Sequence, residues 1–222
     1  MKGPTPGGRG LATRLKTAKK RSIGSQRWLE RQLNDPYVRA AQQQGLRSRA
    51  AFKLIELDER FHLLKPGMRV VDLGAAPGGW TQVVAQRGGS RIVALDLLPM
   101  DPLPGAIMLQ GDFQEEAAER AVLEALDGQA DLVLSDMAPN TTGHGATDHL
   151  RIIALAELAL DFALKVLAPG GGFVAKVFQG GTEKDLLDQL KRNFATVRHG
   201  KPPASRKDSA ELYVVATGFR GR

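Results

Sequence analysis

From Met68 onward, short apolar segments alternate with longer amphipathic ones, and this alternation constrains the fold more than any other feature of the chain. Short apolar runs bounded by turn residues are typical of buried strands, whereas the longer segments have helical spacing. The predicted strands are residues 68–72, 91–95, 106–109, 131–135, 172–178, 195–199 and 211–217. This order indicates an α/β domain with a mainly parallel seven-stranded sheet and helices on both faces. Only a loop separates the last two strands, so we expect that pair to be antiparallel.

Helix signals also occur before the first strand and between the later ones. Pro36 suits the first turn of one helix, and Ser48 is predicted to cap the next, which runs to Phe61 and carries Lys53. The longest predicted helix covers 148–167 and is closed by a Pro-Gly-Gly turn.

The excess positive charge is concentrated at the start of the chain. The whole sequence has 31 basic and 24 acidic residues, yet its first 53 residues carry thirteen basic and two acidic ones. Residues 1–25 are small, polar and basic, which predicts a disordered extension before a single domain at 26–222. A basic arm on a slightly acidic body favours a polyanionic partner, first of all a nucleic acid. A solubilising tail and a mitochondrial leader are the alternatives.

The composition excludes several classes of protein. There are no cysteines, which rules out disulfides, thiolate metal sites and a cysteine nucleophile. No stretch approaches the roughly 20 apolar residues that a membrane-spanning helix needs, so no membrane partner is expected. The four histidines show no ligand spacing, and we expect no metal site.

Small and acidic residues follow the first three predicted strands, where open α/β sheets bind their ligands. Residues 72–80 are rich in glycine, which allows a tight turn and a close approach of a ligand to a helix N-terminus. Asp96 ends the second strand, where an acid typically binds the ribose of an adenosine cofactor. Asp112 follows the third strand, where it could accept a hydrogen bond from an adenine amino group. Each acid alone could be a turn former, but the ordered set favours S-adenosylmethionine over a dinucleotide.

A second group of polar residues lies near the later strands. Asp136 follows the fourth strand in a segment that could also be a simple turn. Lys176 lies inside the otherwise apolar fifth strand, and a lysine is rarely buried without a partner, although it can reach solvent from an edge. Glu211 opens the last strand and Lys53 lies on a helix; each alone is typical of a solvated surface.

Together these segments resemble the FtsJ/RrmJ family of ribosomal RNA large-subunit 2′-O-methyltransferases, over about residues 19–218. The motifs are Gly-Leu-Arg-Ser-Arg before Lys53, residues 72–80, 96–102, 110–113, 135–140 and 176–180, and Ser205-Arg206 ahead of Glu211. The Leu-Leu-Pro-Met-Asp-Pro stretch after Asp96 is most similar to the bacterial ribosomal type.

The resemblance implies a Rossmann-like S-adenosylmethionine-dependent methyltransferase fold with an antiparallel last strand. It implies a catalytic set of Lys53, Asp136, Lys176 and Glu211. It implies cofactor contacts at Gly78, Trp80, Asp96, Asp112 and Asp136. The implied substrate is a uridine ribose in the 23S RNA of the assembled large ribosomal subunit, in the cytoplasm, for which a monomer suffices.

Methyl transfer from a sulfonium expels a neutral leaving group, so the chain must position the acceptor and remove its proton. We assign the proton to the neutral amine of Lys176, and expect desolvation and the charge of Lys53 to lower its pKa. Asp136 would oppose that shift while orienting both lysines near the methyl group. Glu211 would orient Lys53 or the substrate ribose.

The basic first quarter is interpreted as the surface that holds RNA, with Arg47, Arg49 and Arg206 contacting phosphates. Two alternatives remain open from the sequence. One is 2′-O-methylation of another RNA, a transfer RNA or a messenger RNA cap. The other is an RNA-binding ribosome assembly factor without catalysis.

Overall fold

The computed structural model describes residues 33–139, 144–178, 184–206 and 208–221. The predicted extension at 1–25 lies outside these residues, as do the first residues of the predicted domain, 26–32. Asn140 and the Gln179-Gly180 pair, which belong to two of the motifs, also lie outside them.

Helices alternate with strands from β1 onward, except that β2 leads directly to β3 and β6 to β7. The helices are α1 (Pro36–Gln43), α2 (Ala51–Phe61), α3 (Gly79–Gln86), α4 (Glu116–Leu126), α5 (Gly145–Val166) and α6 (Lys184–Asn193). The strands are β1 (Arg69–Leu73), β2 (Arg91–Asp96), β3 (Ala106–Gln110), β4 (Ala130–Ser135), β5 (Leu167–Phe178), β6 (Phe194–Gly200) and β7 (Glu211–Phe219). No helix in the described ranges is both long and apolar enough to cross a bilayer.

The strands form one seven-stranded sheet in the order β3-β2-β1-β4-β5-β7-β6. The pairs from β3 to β5 are parallel, whereas β7 is antiparallel to both β5 and β6. The predicted mainly parallel sheet with an antiparallel last strand is therefore confirmed. The insertion of β7 between β5 and β6 brings the start of the last strand to the end of β5.

Helices cover both faces of the sheet. One apolar cluster joins α1, α2 and α3 to Val70 and Leu132, and a second joins α4, α5 and α6 to Val71 and Val133. Consecutive strand residues thus point to opposite faces, as the two-residue period of a strand requires. Each fully buried side chain of this kind contributes about 1.5–3 kcal/mol to stability. The two layers give the polar edge of the sheet a rigid support.

The predicted helix cap at Ser48 is wrong. Helix α2 begins at Ala51, and its first amide groups are satisfied by backbone carbonyls, with the Ala51 amide donating to Ser48 O at 3.2 Å. The Ser48 hydroxyl instead packs against α3, so closely that a Cβ on Gly79 would lie 2.4 Å from Ser48 Oγ. A serine before an apolar run indicated a cap, but here it marks a close contact between the segment that precedes α2 and the start of α3.

The predicted Pro-Gly-Gly turn at 169–171 lies inside β5. This strand begins at Leu167, which pairs with Ala130, and the pairing then shifts so that Gly172 pairs with Leu132. Proline has no amide donor for a regular ladder and is tolerated where the pairing is irregular. Turn-forming residues here therefore produce an irregular strand.

Asp72 is a fully buried carboxyl group in β1. Its Oδ2 accepts a hydrogen bond from Thr81 Oγ1 at 2.7 Å, which joins β1 to α3, while Oδ1 is buried without a hydrogen-bond partner in the described structure. Burial raises the pKa of Asp72 to about 7; the Thr81 hydrogen bond opposes this rise and the charge of Asp136 adds to it.

We predict that Asp72→Asn removes a pH dependence of stability. The ordinary pKa of an unfolded aspartate is about 3.9, so the folded protein holds this proton more tightly than the unfolded chain. The wild-type free energy of unfolding should therefore decrease as the pH rises from about 4 to about 7, by on the order of 4 kcal/mol from this group.

Chemical denaturation of both proteins at about pH 5 and about pH 8 measures this difference. The variant should gain stability relative to wild type at the higher pH. A difference between the two proteins that stays constant with pH would contradict the raised pKa.

Candidate active site

The polar residues singled out in the sequence meet at one edge of the sheet, because the parallel strands β1 to β5 all end there. Asp96 ends β2, Asp136 follows β4, and Lys176 lies two residues before the end of β5. Strand β7 runs the opposite way and begins at this edge, where Glu211 pairs with Phe178. The antiparallel strand is thus what brings Glu211 to the ends of the parallel ones.

Lys53, Asp136, Lys176 and Glu211 form one connected network. Lys176 Nζ lies 2.8 Å from Asp136 Oδ1 and also donates to the Asp136 carbonyl at 2.9 Å. Lys53 Nζ donates to Glu211 Oε2 at 2.8 Å and lies 3.9 Å from Asp136 Oδ2. Both lysines are less than a tenth exposed. The buried lysine predicted in β5 therefore has its partner, and the lysine expected to be a surface residue when taken alone is buried beside it.

Tyr213 belongs to the same network, although the sequence analysis did not identify it. Its ring is fully buried, and its Oη donates to Asp136 Oδ1 at 2.7 Å while accepting from Lys53 Nζ at 3.2 Å. The available signal was the two-residue period of the strand, which places Tyr213 on the same face of β7 as Glu211.

Ser205 holds the other side of Glu211. Its buried hydroxyl donates to Glu211 Oε1 at 2.6 Å, so this carboxylate is fixed between Ser205 and Lys53. The loop before β7 therefore helps to set the position of a predicted catalytic residue.

The charges in the network set the protonation of its members. Burial alone would raise the pKa of Asp136, but the positive charges of Lys176 and Lys53 lower it below its ordinary value. Burial opposes the charged form of Lys176, yet the carboxylates of Asp136 and Glu211 prevail and raise its pKa. Burial, together with the same two carboxylates, raises the pKa of Tyr213 well above its ordinary value.

The expected lowering of the Lys176 pKa is therefore wrong for this state of the protein. That expectation gave desolvation and the charge of Lys53 more weight than the carboxylate of Asp136. The structure places a carboxylate oxygen of Asp136 2.8 Å from the amine, and the combined attraction of Asp136 and Glu211 outweighs the effect of burial. Lys176 is a charged ammonium at neutral pH.

The turn after β1 closely approaches the segment after β4. Gly74 has a φ of +73°, and a Cβ there would lie 2.7 Å from the backbone of Met137. Gly78, with a φ of +97°, immediately precedes α3, whose N-terminus has no side-chain cap. This combination suits a ligand that contacts main-chain groups closely.

The two acids predicted to bind a cofactor are both held by backbone amides. Asp96 accepts from the Ala76 amide with Oδ2 and from the Leu98 amide with Oδ1, each at 2.9 Å. Asp112 accepts from the Gln114 amide at 3.0 Å, which is the turn-forming contact considered as its alternative. Each carboxylate has further lone pairs, which can accept hydrogen bonds from a ribose hydroxyl or an amino group.

Trp80 points its side chain away from this turn. The indole is 3% exposed, its Nε1 donates to the Ala50 carbonyl at 2.8 Å, and its ring centroid lies 5.6 Å from that of Tyr213. Any cofactor contact from Trp80 must therefore come from its backbone, in the first turn of α3.

A pocket of about 490 Å³ opens beside the lysine network. It is lined by Arg49, Ala50, Lys53, Arg206, Asp208, Ser209 and Glu211. Arg49 Nε lies 2.8 Å from Asp35 Oδ2 and Nη2 donates to the Ala204 carbonyl, while Arg206 Nη2 lies 3.7 Å from the same Asp35 oxygen. Two guanidinium groups thus border a pocket that the Lys53–Glu211 pair also lines.

No three histidine, aspartate or glutamate side chains among the described residues are placed to hold a metal ion. The polar groups at this edge of the sheet are arranged instead as ion pairs and backbone contacts.

Comparisons with known proteins agree with this arrangement. Residues 46–219 match the family described as FtsJ-like methyltransferase. The chain is 67% identical to a ribosomal RNA large subunit methyltransferase E from Paramagnetospirillum magneticum, over 99% of this chain and 93% of that protein. It is 65% identical to the protein of that name from Granulibacter bethesdensis, over 98% and 94% of the two chains.

A solved structure is also similar to this chain. A ribosomal RNA methyltransferase from Plasmodium falciparum superposes with a TM-score of 0.70 at 32% identity, covering 79% of this chain and 100% of that one. The family match at residues 46–219 includes every strand of the sheet and all four residues of the lysine network. The chain belongs to the FtsJ-like methyltransferase family.

Proposed function

We propose that the chain transfers a methyl group from S-adenosylmethionine to the 2′-hydroxyl of a uridine ribose in large-subunit ribosomal RNA. The observation that carries this proposal is the Lys53–Asp136–Lys176–Glu211 network, with both lysines buried, beside a pocket bordered by two arginines. The names of the bacterial relatives support ribosomal RNA as the substrate. A monomer in the cytoplasm, acting on the assembled large subunit, is sufficient for this activity.

The residues around the first turn fit S-adenosylmethionine. Gly78 and the backbone of Trp80 would hold it at the N-terminus of α3, Asp96 would bind its ribose and Asp112 its adenine. Asp136, which follows β4, lies between this turn and the lysines. Gly74 of the turn packs against Met137, the residue after Asp136. When bound, S-adenosylmethionine supplies a methyl group carried on a positively charged sulfonium.

Lys176 would accept the proton of the ribose hydroxyl as a neutral amine, after its ammonium has released a proton to solvent. Its amine is charged in the structure because Asp136 and Glu211 raise its pKa. A further positive charge beside Asp136 would weaken this attraction and lower the pKa of the amine. Asp136 therefore controls when Lys176 becomes a base, and it holds the amine in place through two contacts.

Lys53 and Glu211 would position the acceptor ribose. The Lys53 ammonium is held by Glu211 and Tyr213 and faces the pocket, so it can donate a hydrogen bond to a ribose oxygen. Arg49 and Arg206 border the same pocket and would contact the flanking phosphates. RNA that enters here reaches the network with one ribose placed between the two lysines.

We predict that Lys176→Ala and Asp136→Asn each abolish methyl transfer. Labelled S-adenosylmethionine and unmodified large ribosomal subunits would be incubated with each protein, and the RNA digested to nucleosides. Wild type should yield labelled 2′-O-methyluridine, and each variant should lose at least about a hundredfold in rate, the usual contribution of a positioned proton acceptor. Lys191→Ala, which removes an exposed lysine on α6, is the matched control and should behave as wild type.

Transfer to transfer RNA or capped messenger RNA, but not to subunits, would overturn the ribosomal substrate. Labelled methyl on a base would overturn the ribose acceptor. A Lys176→Ala protein with the wild-type rate would exclude Lys176 from the chemistry.

We predict that the rate rises with pH while Lys176 is the base. Because the amine is charged at neutral pH, the logarithm of kcat at saturating cofactor and subunits should increase by about one per pH unit below its pKa. Lys176→Arg should lose both the activity and this rise, since a guanidinium stays protonated. A flat profile, or a near-normal rate in Lys176→Arg, would show that the residue acts only as a fixed positive charge.

A further inference from the structure

The guanidinium of Arg47, for which the sequence predicted a phosphate contact, is hydrogen-bonded to the protein's own backbone. Its Nη1 donates to the Asp101 carbonyl at 2.7 Å and to the Pro77 carbonyl at 3.3 Å, and its Nη2 donates to the Pro102 carbonyl at 2.5 Å. Three of the five N–H donors of the guanidinium are therefore directed at backbone carbonyls. The side chain is only half-buried, yet it is anchored by the protein itself.

These carbonyls belong to two separate loops. Pro77 lies in the turn between β1 and α3, immediately before Gly78, whereas Asp101 and Pro102 lie in the loop that leads from Asp96 to β3. One guanidinium thus joins two loops whose contacting residues are more than twenty positions apart in the sequence. Gly78 and Asp96, which these loops carry, are the residues to which we assign the cofactor.

The absence of a side chain at Gly78 allows this close contact with Arg47. A Cβ on Gly78 would lie 2.9 Å from Arg47 Nη1 and 3.2 Å from Arg47 Cδ. Arg47 therefore packs directly on the backbone of the turn.

The main chain of Arg47 is fixed to the helix that follows that turn. Its amide donates to Gln82 Oε1 at 2.8 Å, and Gln82 Nε2 donates to the Gly45 carbonyl at 2.9 Å. Arg47 and the N-terminus of α3 thus share one rigid support, which limits the loss of side-chain freedom when the guanidinium binds the loops.

Arg49, two residues away, serves the other side of the site. Its guanidinium contacts Asp35 and the Ala204 carbonyl, at the pocket that contains Lys53 and Glu211. The two arginines of one short segment therefore point to different halves of the active site.

We propose that Arg47 is a positioning residue for the methyl donor, which it serves by holding the Pro77–Gly78 turn and the Asp101–Pro102 loop at a fixed separation. The proposal rests on the proposed use of S-adenosylmethionine. A planar guanidinium can span three carbonyls with two nitrogens, whereas the ammonium of lysine has its three N–H donors on one nitrogen. Removing it frees both loops and weakens cofactor binding, while contacts to RNA stay unchanged.

The test compares Arg47→Gln and Arg47→Lys with Arg39→Gln, which removes an exposed arginine of α1. Isothermal titration with S-adenosylhomocysteine gives the dissociation constant without turnover. We expect Arg47→Gln to raise it about tenfold or more and Arg47→Lys to raise it by several-fold, since charge-assisted hydrogen bonds are lost. Arg39→Gln should stay within about twofold of wild type.

Steady-state kinetics provide the second readout. Arg47→Gln should raise the KM for S-adenosylmethionine, with kcat at saturating cofactor and the KM for ribosomal subunits close to wild type. Arg47→Lys retains the charge and the packing of the aliphatic stem. It can therefore be measured in place of Arg47→Gln if that variant folds poorly.

The outcomes separate the two proposals. Unchanged dissociation constants in both Arg47 variants, with a raised KM for subunits and a weaker salt dependence, would overturn the positioning role and restore a phosphate contact. A wild-type protein that binds no S-adenosylhomocysteine would overturn the proposed cofactor itself.

Discussion

The active edge of this protein depends on the contact between the Asp136 carboxylate and the Lys176 ammonium. A buried charge is costly unless it is paired and hydrogen-bonded. Asp136 meets this requirement with Lys176, Lys53 and the Tyr213 hydroxyl around its two side-chain oxygens. Loss of any of these groups removes one of the partners that offset the cost of burial, so the position of each residue depends on the rest.

The fold can supply this arrangement because its last strand is antiparallel to both neighbouring strands. The parallel strands deliver Asp96, Asp136 and Lys176 to one edge, and β7 starts at that edge with Glu211. Lys53 comes from α2, on the face where the ring of Tyr213 is buried. Two layers of helices hold these elements, and Ser205 and Arg49 fasten the loop before β7 to the same structure.

The sequence predicts the architecture well because strand and helix periods are local signals. It also identifies Lys176, since a lysine in an apolar strand requires a partner. It could not identify Tyr213, because a tyrosine in a buried strand is ordinary until its hydroxyl is seen between Lys53 and Asp136. The same applies to Arg47: its charge indicated RNA, whereas its three carbonyl partners are distant in sequence. The Lys176 pKa depends on distances that no sequence pattern provides.

The most direct test of this account is the pKa of Lys176 in the protein without ligands. Titration of the labelled lysine side chains by carbon NMR, assigned with Lys176→Arg, would give this value for wild type and for Asp136→Asn. The account predicts a wild-type pKa above the ordinary lysine value of about 10.4 and a marked decrease in Asp136→Asn, where burial is no longer opposed by the adjacent carboxylate. A wild-type pKa below the ordinary value, or one that Asp136→Asn leaves unchanged, would contradict the claim that Asp136 controls the proton of Lys176.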